Sequence, residues 1–282
     1  GSDQPAILDW WNGSSACYDL SNPEAYNHLR STLKKMQQDY HIDGFKFDAG
    51  DPERYPEKEV DVFDRQSYDT EQTYLWAKLG LEFPYNEFRA CWKLGGQPLV
   101  QRLGDKKYSW DGVASLVPSM IAAGLLGYSY ACFQGIDASG FDQTLIVRSC
   151  QIHSMMPMMQ FSVAPWRILS KENLEMCIKY AKWHEQLGDY ILSQAKKASI
   201  TGEPIVRHMD YAFPNQGFEE CRDQYMLGDK YLVAPIMSSG NTRTVKLPKG
   251  KWKDDLGKVY KGGKTYTLDV PLSRLPWFVE VK

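Results

Sequence analysis

The chain has 282 residues, 43% of them hydrophobic and 24% charged, with a formal net charge of −2. That length carries a substantial core, in one large domain or in one plus a small one. Acidic and basic residues are interspersed without a basic stripe, which argues against a nucleic-acid partner, and no apolar run approaches the roughly 18 residues that span a bilayer, so no membrane partner is expected.

Gly1-Ser2 reads as a cloning remnant ahead of an internal sequence. The segment "SNPEAYNHLRSTLKKMQQDY", 21–40, predicts an amphipathic helix with a serine or asparagine N-cap and Pro23 in its first turn. A short strand is expected over 41–48, a helix over 67–80 closed by Gly80, and strands in "FPYNEFRA" and "PLVQRLGD". A buried helix-like run, 109–127, is interrupted by Pro118. Then come a strand in "YSYACFQG", a helix in "QTLIVRSCQIHSMM", a short strand in "MMQFSVAP" and one long helix over 171–198. This alternation implies βαβ units and a parallel sheet. Beyond residue 205 the pattern changes to short strands split by Gly, Pro and Asp turns, as in "QYMLGDKYLVAPIM" and "KVYKGGKTYTLDVPL", and predicts an antiparallel β module.

The stretch "HIDGFKFDAGD", 41–51, alternates with a period of two, so Phe45 and Phe47 point to one side and Lys46 and Asp48 to the other. A charge on a buried strand face is tolerated when it is paired or stands at the strand's mouth. Asp48 is therefore expected at the carboxyl end of its strand, where active sites of barrels and open α/β folds collect. Asp105, at the Gly-Asp step ending "PLVQRLGD", is a second carboxylate of this kind. Two carboxylates at neighbouring strand ends are what glycoside hydrolysis requires, although strand-end aspartates also cap helices and bind metals. The 13% aromatic content and nine tryptophans suit either a packed core or a sugar cleft. The six cysteines, Cys17, Cys91, Cys132, Cys150, Cys177 and Cys221, lack CxxC or metal-ligand spacing, and read as mostly buried free thiols. The five histidines are not spaced as ligands either, and neither metal nor cofactor is expected.

"GFKFDAGD" resembles the nucleophile motif of glycoside hydrolase family 31, with Asp48 at the nucleophile position and Asp51 at the acidic position beyond it. "RLGD" followed by Trp110 is similar to the family's acid/base step and places Asp105 there, with Arg102 where tryptophan is usual. Arg89 stands where the family carries an arginine at the end of the preceding strand, and "GEPIVRHMDYAFP" resembles the entry to its C-terminal β domain. The resemblance implies the C-terminal part, about strands 4–8, of a (β/α)8 TIM barrel over 1–203, followed by an antiparallel β domain over 204–282. It implies that the first barrel strands and a preceding β-sandwich lie outside this chain, supplied in cis or by another chain. It also implies a retaining exo-acting α-glycosidase whose substrate is an α-linked oligosaccharide or glycoside.

Within the resemblance, Asp48 is the nucleophile and Asp105 the acid/base. Arg89 would hold hydroxyls or a carboxylate with its planar fork. Lys46 would donate to a ring hydroxyl and steady Asp48, or is a surface lysine; Asp51 would bind substrate or cap its loop. Trp10, Trp11 and Trp166 are stacking walls or core aromatics. "MMQFSVAPWR" has Gln160-Phe161-Ser162 and Pro165-Trp166 where glucosidases carry an Arg-Asn-His type motif. That is similar to the branch containing the myogenesis-regulating glycosidase, associated with α-galactosides. An α-glucosidase or α-xylosidase is the alternative inside the family, and a non-catalytic carbohydrate-binding or scaffold protein the alternative outside it.

Overall fold

A computed structural model describes residues 4–10, 13–55, 61–64, 68–128, 132–133, 142–161 and 163–281. The chain forms two compact units, 1–102 and 103–282.

The first unit opens with an antiparallel hairpin, β1 (Ile7–Trp10) and β2 (Gly13–Ala16). Helix α1 (Pro23–Tyr40) follows the predicted start: Asn22 is the N-cap, its side chain accepts from the Glu24 amide, and Pro23 occupies the first turn. It ends where His41 turns left-handed, at φ 54°. Then come β3 (Gly44–Phe47), α2 (Asp69–Gly80), β4 (Tyr85–Phe88) and β5 (Val100–Leu103). β4 pairs in parallel with both β3 and β5. The expected division of faces holds, because Phe45 and Phe47 both meet Phe83, at centroid separations of 5.2 and 5.7 Å. Phe47 also stacks on Phe88 at 4.9 Å and meets Trp76 of α2 edge-on. Phe47, Phe83 and Phe88 are at most 2% exposed, each contributing about 2–3 kcal/mol of burial. This aromatic layer fixes the sheet against α2 and turns the charged alternate residues to the opposite face.

The second unit begins with α3 (Trp110–Ala114) and α4 (Leu116–Leu125), broken at Ser115. Pro118 explains the break: it cannot donate to the Ala114 carbonyl and its ring crowds that oxygen. A two-residue strand β6 (Cys132–Phe133) follows; most of the predicted strand "YSYACFQG" lies outside the described residues. Helix α5 (Gln143–Ser154) is as expected. The expected strand in "MMQFSVAP" is not formed among its described residues, and Pro165 begins a single 3₁₀ turn, Pro165–Arg167. Pro157 and Pro165 each lack the N–H that a ladder needs. The predicted long helix is two, α6 (Lys171–Gln186) and α7 (Gly188–Thr201), parted at Leu187 before Gly188, the poorest helix former in the run after proline.

The antiparallel module comprises β7 (Val206–His208), a short α8 (Met209–Ala212), β8 (Tyr225–Leu227), β9 (Tyr231–Val233), β10 (Thr242–Lys246), β11 (Lys251–Asp254), β12 (Val259–Lys261), β13 (Thr265–Asp269) and β14 (Trp277–Glu280). Six strands form one sheet in the order β12-β11-β14-β9-β8-β7, and β10 pairs with β13. One face carries the module's own core of Leu232, Val245, Trp252, Leu268 and Phe278. Alternate residues, Tyr225, Leu227, Tyr231 and Val233, pack instead with the α3–α7 helices. Trp183 of α6 stacks on Trp277, and the fully buried Arg148 of α5 donates to the Val270 and Arg274 carbonyls at 2.8 and 3.0 Å. Of the cysteines whose side chains are described, Cys150 and Cys177 are buried, whereas Cys17, Cys91 and Cys221 are only half-buried, so "mostly buried" holds for two of them. Among the described residues no helix is long and apolar enough to cross a membrane.

Candidate active site

The charged face of the β3–β4–β5 sheet assembles the candidate site. β3 and β4 are in register with Lys46 opposite Glu87, and the Lys46 ammonium lies 3.7 Å from a Glu87 carboxylate oxygen. Asp48 directly follows β3, with its side chain 36% exposed, which places it at the strand's carboxyl end. Two guanidiniums converge on one of its oxygens: Arg102 Nη2 donates to Oδ1 at 2.7 Å, and Arg89 Nη1 lies 3.4 Å from the same atom. Arg102 on β5 is 1% exposed, and its Nε stands 3.2 Å from Glu87 Oε1. Arg89 follows β4 and grips Asp51 with two nitrogens, Nε to Oδ1 at 3.1 Å and Nη2 to Oδ2.

Backbone geometry delivers these groups. After Asp48 the chain turns through two successive left-handed residues, Ala49 at φ 63° and Gly50 at φ 80°. The turn is held by Thr73 of α2, whose hydroxyl donates to the Gly50 carbonyl at 2.7 Å. It reverses the chain so that Asp51 returns to face Arg89. The Arg89 carbonyl accepts from Gln101 Nε2 at 2.8 Å, tying the end of β4 to β5.

The structure thus brings together Lys46, Asp48, Asp51 and Arg89 among the residues expected from the sequence. Asp51 is a partner of Arg89 and makes no side-chain cap on the turn that follows it. The cations on Asp48 are Arg102 and Arg89, while Lys46 pairs with Glu87. Trp10, on β1, meets Tyr55 edge-on at 6.4 Å. Burial, with the Cys17 and Asp51 charges adding to it, raises the Tyr55 hydroxyl far above its ordinary pKa, so it stays a neutral donor. Trp11 lies outside the described residues. Asp105 belongs to the second unit, exposed in the loop after β5 and four residues before the Ser109 N-cap of α3. Gln160 is half-buried, and Trp166 is 71% exposed on its 3₁₀ turn, which removes the core-aromatic reading for it. Among the described residues no group of three His, Cys, Asp or Glu is placed to hold a metal ion.

Sequence reasoning missed Glu87, Tyr55 and the role of Arg102. Arg102 was visible only as an arginine in a tryptophan position, and its partner Asp48 is 54 residues away in the chain. Glu87 carried a signal: it alternates with the core residues Asn86 and Phe88, so it lies on the same side as Lys46.

A parallel sheet carrying a cation-flanked carboxylate at a strand end, followed by an antiparallel β domain, is the architecture of an α/β-barrel type protein with its polar site at the strands' carboxyl ends. Residues 1–194 match the glycosyl hydrolases family 31 TIM-barrel domain, and residues 202–281 match that family's C-terminal domain. The chain belongs to glycosyl hydrolase family 31. It is 28% identical over 292 residues to the myogenesis-regulating glycosidase of Mus musculus, covering 95% of this chain and 40% of that protein. It is 25% identical to the SITS-binding protein of Tetronarce californica, covering 93% of this chain and 40% of that one. Among solved structures, the Flavobacterium johnsoniae family 31 dextranase complexed with glucose superposes with a TM-score of 0.85 at 23% identity, covering 99% of this chain and 39% of that chain. That likeness shows the fold: part of the family's barrel, followed by its antiparallel domain. The chain spans about two fifths of the length of these relatives.

Proposed function

We propose that the protein containing this chain is a retaining, exo-acting α-glycoside hydrolase that removes a terminal α-linked hexose, with α-galactosides preferred. The observation that carries this reading is Asp48, a strand-end carboxylate on whose Oδ1 two guanidiniums converge. Oδ2 attacks the anomeric carbon and forms a glycosyl ester. The glycosidic C–O bond breaks, its electron pair stays on the departing oxygen, and Asp105 supplies that oxygen's proton. Asp105, now a carboxylate, takes a proton from water as the water attacks the ester carbon, which releases the sugar and restores Asp48. Arg89, fixed by Asp51, binds sugar hydroxyls beside the reacting carbon. Family membership and the name of the mouse relative, a glycosidase, support hydrolysis. The Gln160–Trp166 segment supports tolerance of an axial C4 hydroxyl.

The Tetronarce relative is named as a binding protein, which supports a second reading, a ligand-binding protein on the same fold. It leaves the two converging guanidiniums on Asp48 without a purpose. The two readings separate in the full-length protein with an activated nitrophenyl glycoside. Asp48→Ala should lose turnover on every substrate, because the atom that forms the ester is gone. Asp105→Ala should keep the first step with a good leaving group, and azide, which needs no base, should restore its turnover with a retained-configuration azide product by NMR. In Asp48→Ala, azide should give the opposite configuration. If the two variants swap behaviours the roles are reversed; if neither loses activity the hydrolase reading fails.

A further inference from the structure

Arg102 is the most deeply buried charge on the candidate site's face, with a side chain 1% exposed. An arginine in such a place is expensive to desolvate, and an apolar side chain would fill the same volume more cheaply. Two carboxylates face its fork. Nη2 donates to Asp48 Oδ1 at 2.7 Å, and Nε lies 3.2 Å from Glu87 Oε1, an ion pair without hydrogen-bond alignment. Glu87 in turn lies 3.7 Å from Lys46, and Arg89 links Asp48 to Asp51. The six groups alternate in sign along one line: Lys46, Glu87, Arg102, Asp48, Arg89, Asp51. Three cations balance three anions across the ends of three adjacent strands.

We propose that Arg102 is a positioning residue for the attack by Asp48, with Glu87 as its anchor. This rests on reading Asp48 as the nucleophile. A carboxylate is planar, so a strong bond to Oδ1 restricts rotation about its Cβ–Cγ bond and fixes where Oδ2 points. The side chain of Asp48 is 36% exposed and would otherwise sample several orientations. When Oδ2 forms the ester, Asp48 loses its charge. Glu87 and Asp51 remain to balance the two guanidiniums, so Arg102 can stay on Oδ1, now the ester carbonyl, through both steps. Fixing the fork by an anion on its other side is what lets one arginine serve both states.

The test uses the full-length protein and 5-fluoro-α-galactosyl and 5-fluoro-α-glucosyl fluorides. In this reaction Oδ2 bonds to the anomeric carbon, the C–F bond breaks, and fluoride leaves with the electron pair, so no acid is required. Labelling is followed by intact mass and located by peptide mapping. Wild type is expected to label at Asp48. R102Q, folded as judged by circular dichroism and melting, is expected to reach the same final labelled fraction at a rate about 100-fold slower, the effect of a nucleophile misplaced by about 1 Å. A structural defect would instead lower the final fraction and leave the rate of the remaining molecules unchanged. R102K keeps the charge without the fork and is expected between the two. Should R102Q not fold, E87Q retains the packing volume and is expected to slow labelling about 10-fold by freeing the fork. Labelling of R102Q, or of both R102K and E87Q, within about threefold of wild type overturns the proposal, and a lowered final fraction at an unchanged rate overturns it equally. Wild-type labelling at a residue other than Asp48 overturns the nucleophile assignment itself.

Discussion

A residue's chemistry is set by its neighbours, and His153 shows this as clearly as the Asp48 cluster. It lies on α5, 2% exposed, with Ser149 Oγ 3.3 Å from its Nδ1. Burial, with His184 charge adding to it, depresses its pKa from 6.5 to about 4. The unfolded chain therefore takes up a proton in a range where the folded chain does not. Stability is full above about pH 6.5 and declines as pH falls toward 4, by up to about 3 kcal/mol from this group. His153→Gln is expected to flatten the dependence of melting temperature on pH between 6.5 and 4; an unchanged slope would refute the assignment. At this scale short motifs single out Asp48, Asp51 and Arg89 as candidates, and the structure groups the three, with Asp51 pairing with Arg89 rather than capping its turn. Arg102 and Glu87 were not legible, because their meaning lies in contacts between separate strands.

Elements obeyed local rules where a single residue dominates the backbone. Asn22 and Pro23 start α1, and Pro118 divides the run at 109–127. Local reading failed in "MMQFSVAP", where apolar residues suggested a strand but the prolines deny it ladder donors. It failed also at Leu187–Gly188, where an amphipathic pattern runs through a break. The turn after β3 tests how strictly backbone shape serves the site. A Cβ on Gly50, at φ 80°, would lie 2.6 Å from Trp76 Cδ1, an atom of the packed aromatic layer. Gly50→Ala is expected to destabilise the first unit by about 1–3 kcal/mol through the left-handed backbone and the clash together. It should also lower kcat more than the melting shift alone explains, because Asp51 and with it Arg89 move. Urea unfolding and steady-state kinetics on the same preparation check both parts.

For the whole molecule, the question is which sugar a family 31 protein with this sequence takes. The relatives carry several names, among them α-glucosidase, α-xylosidase and isomaltosyltransferase, so family membership alone does not answer it. By the sequence resemblance Gln160, Phe161 and Trp166 replace the glucosidase motif, and Trp166 is 71% exposed. On the proposed reading, nitrophenyl α-galactoside is expected to be turned over at least as fast as the α-glucoside by the full-length protein. A clear excess of glucoside turnover would reverse this. The Asp48 and Asp105 carboxylates belong to the two different compact units of the chain.

By itself the sequence determined the α/β-then-β order of elements, the division of β3 into an aromatic and a charged face, and the family. These follow from period, turn residues and short motifs, all of which act within a few residues of each other. Only the tertiary structure decided that two arginines share one oxygen of Asp48, that a Glu87 oxygen lies 3.2 Å from the deeper of them, and that Asp51 pairs with Arg89. Those facts depend on register between strands, and on the burial that makes an ion pair strong enough to orient its partners. Neither register nor burial is written at any single position in the chain.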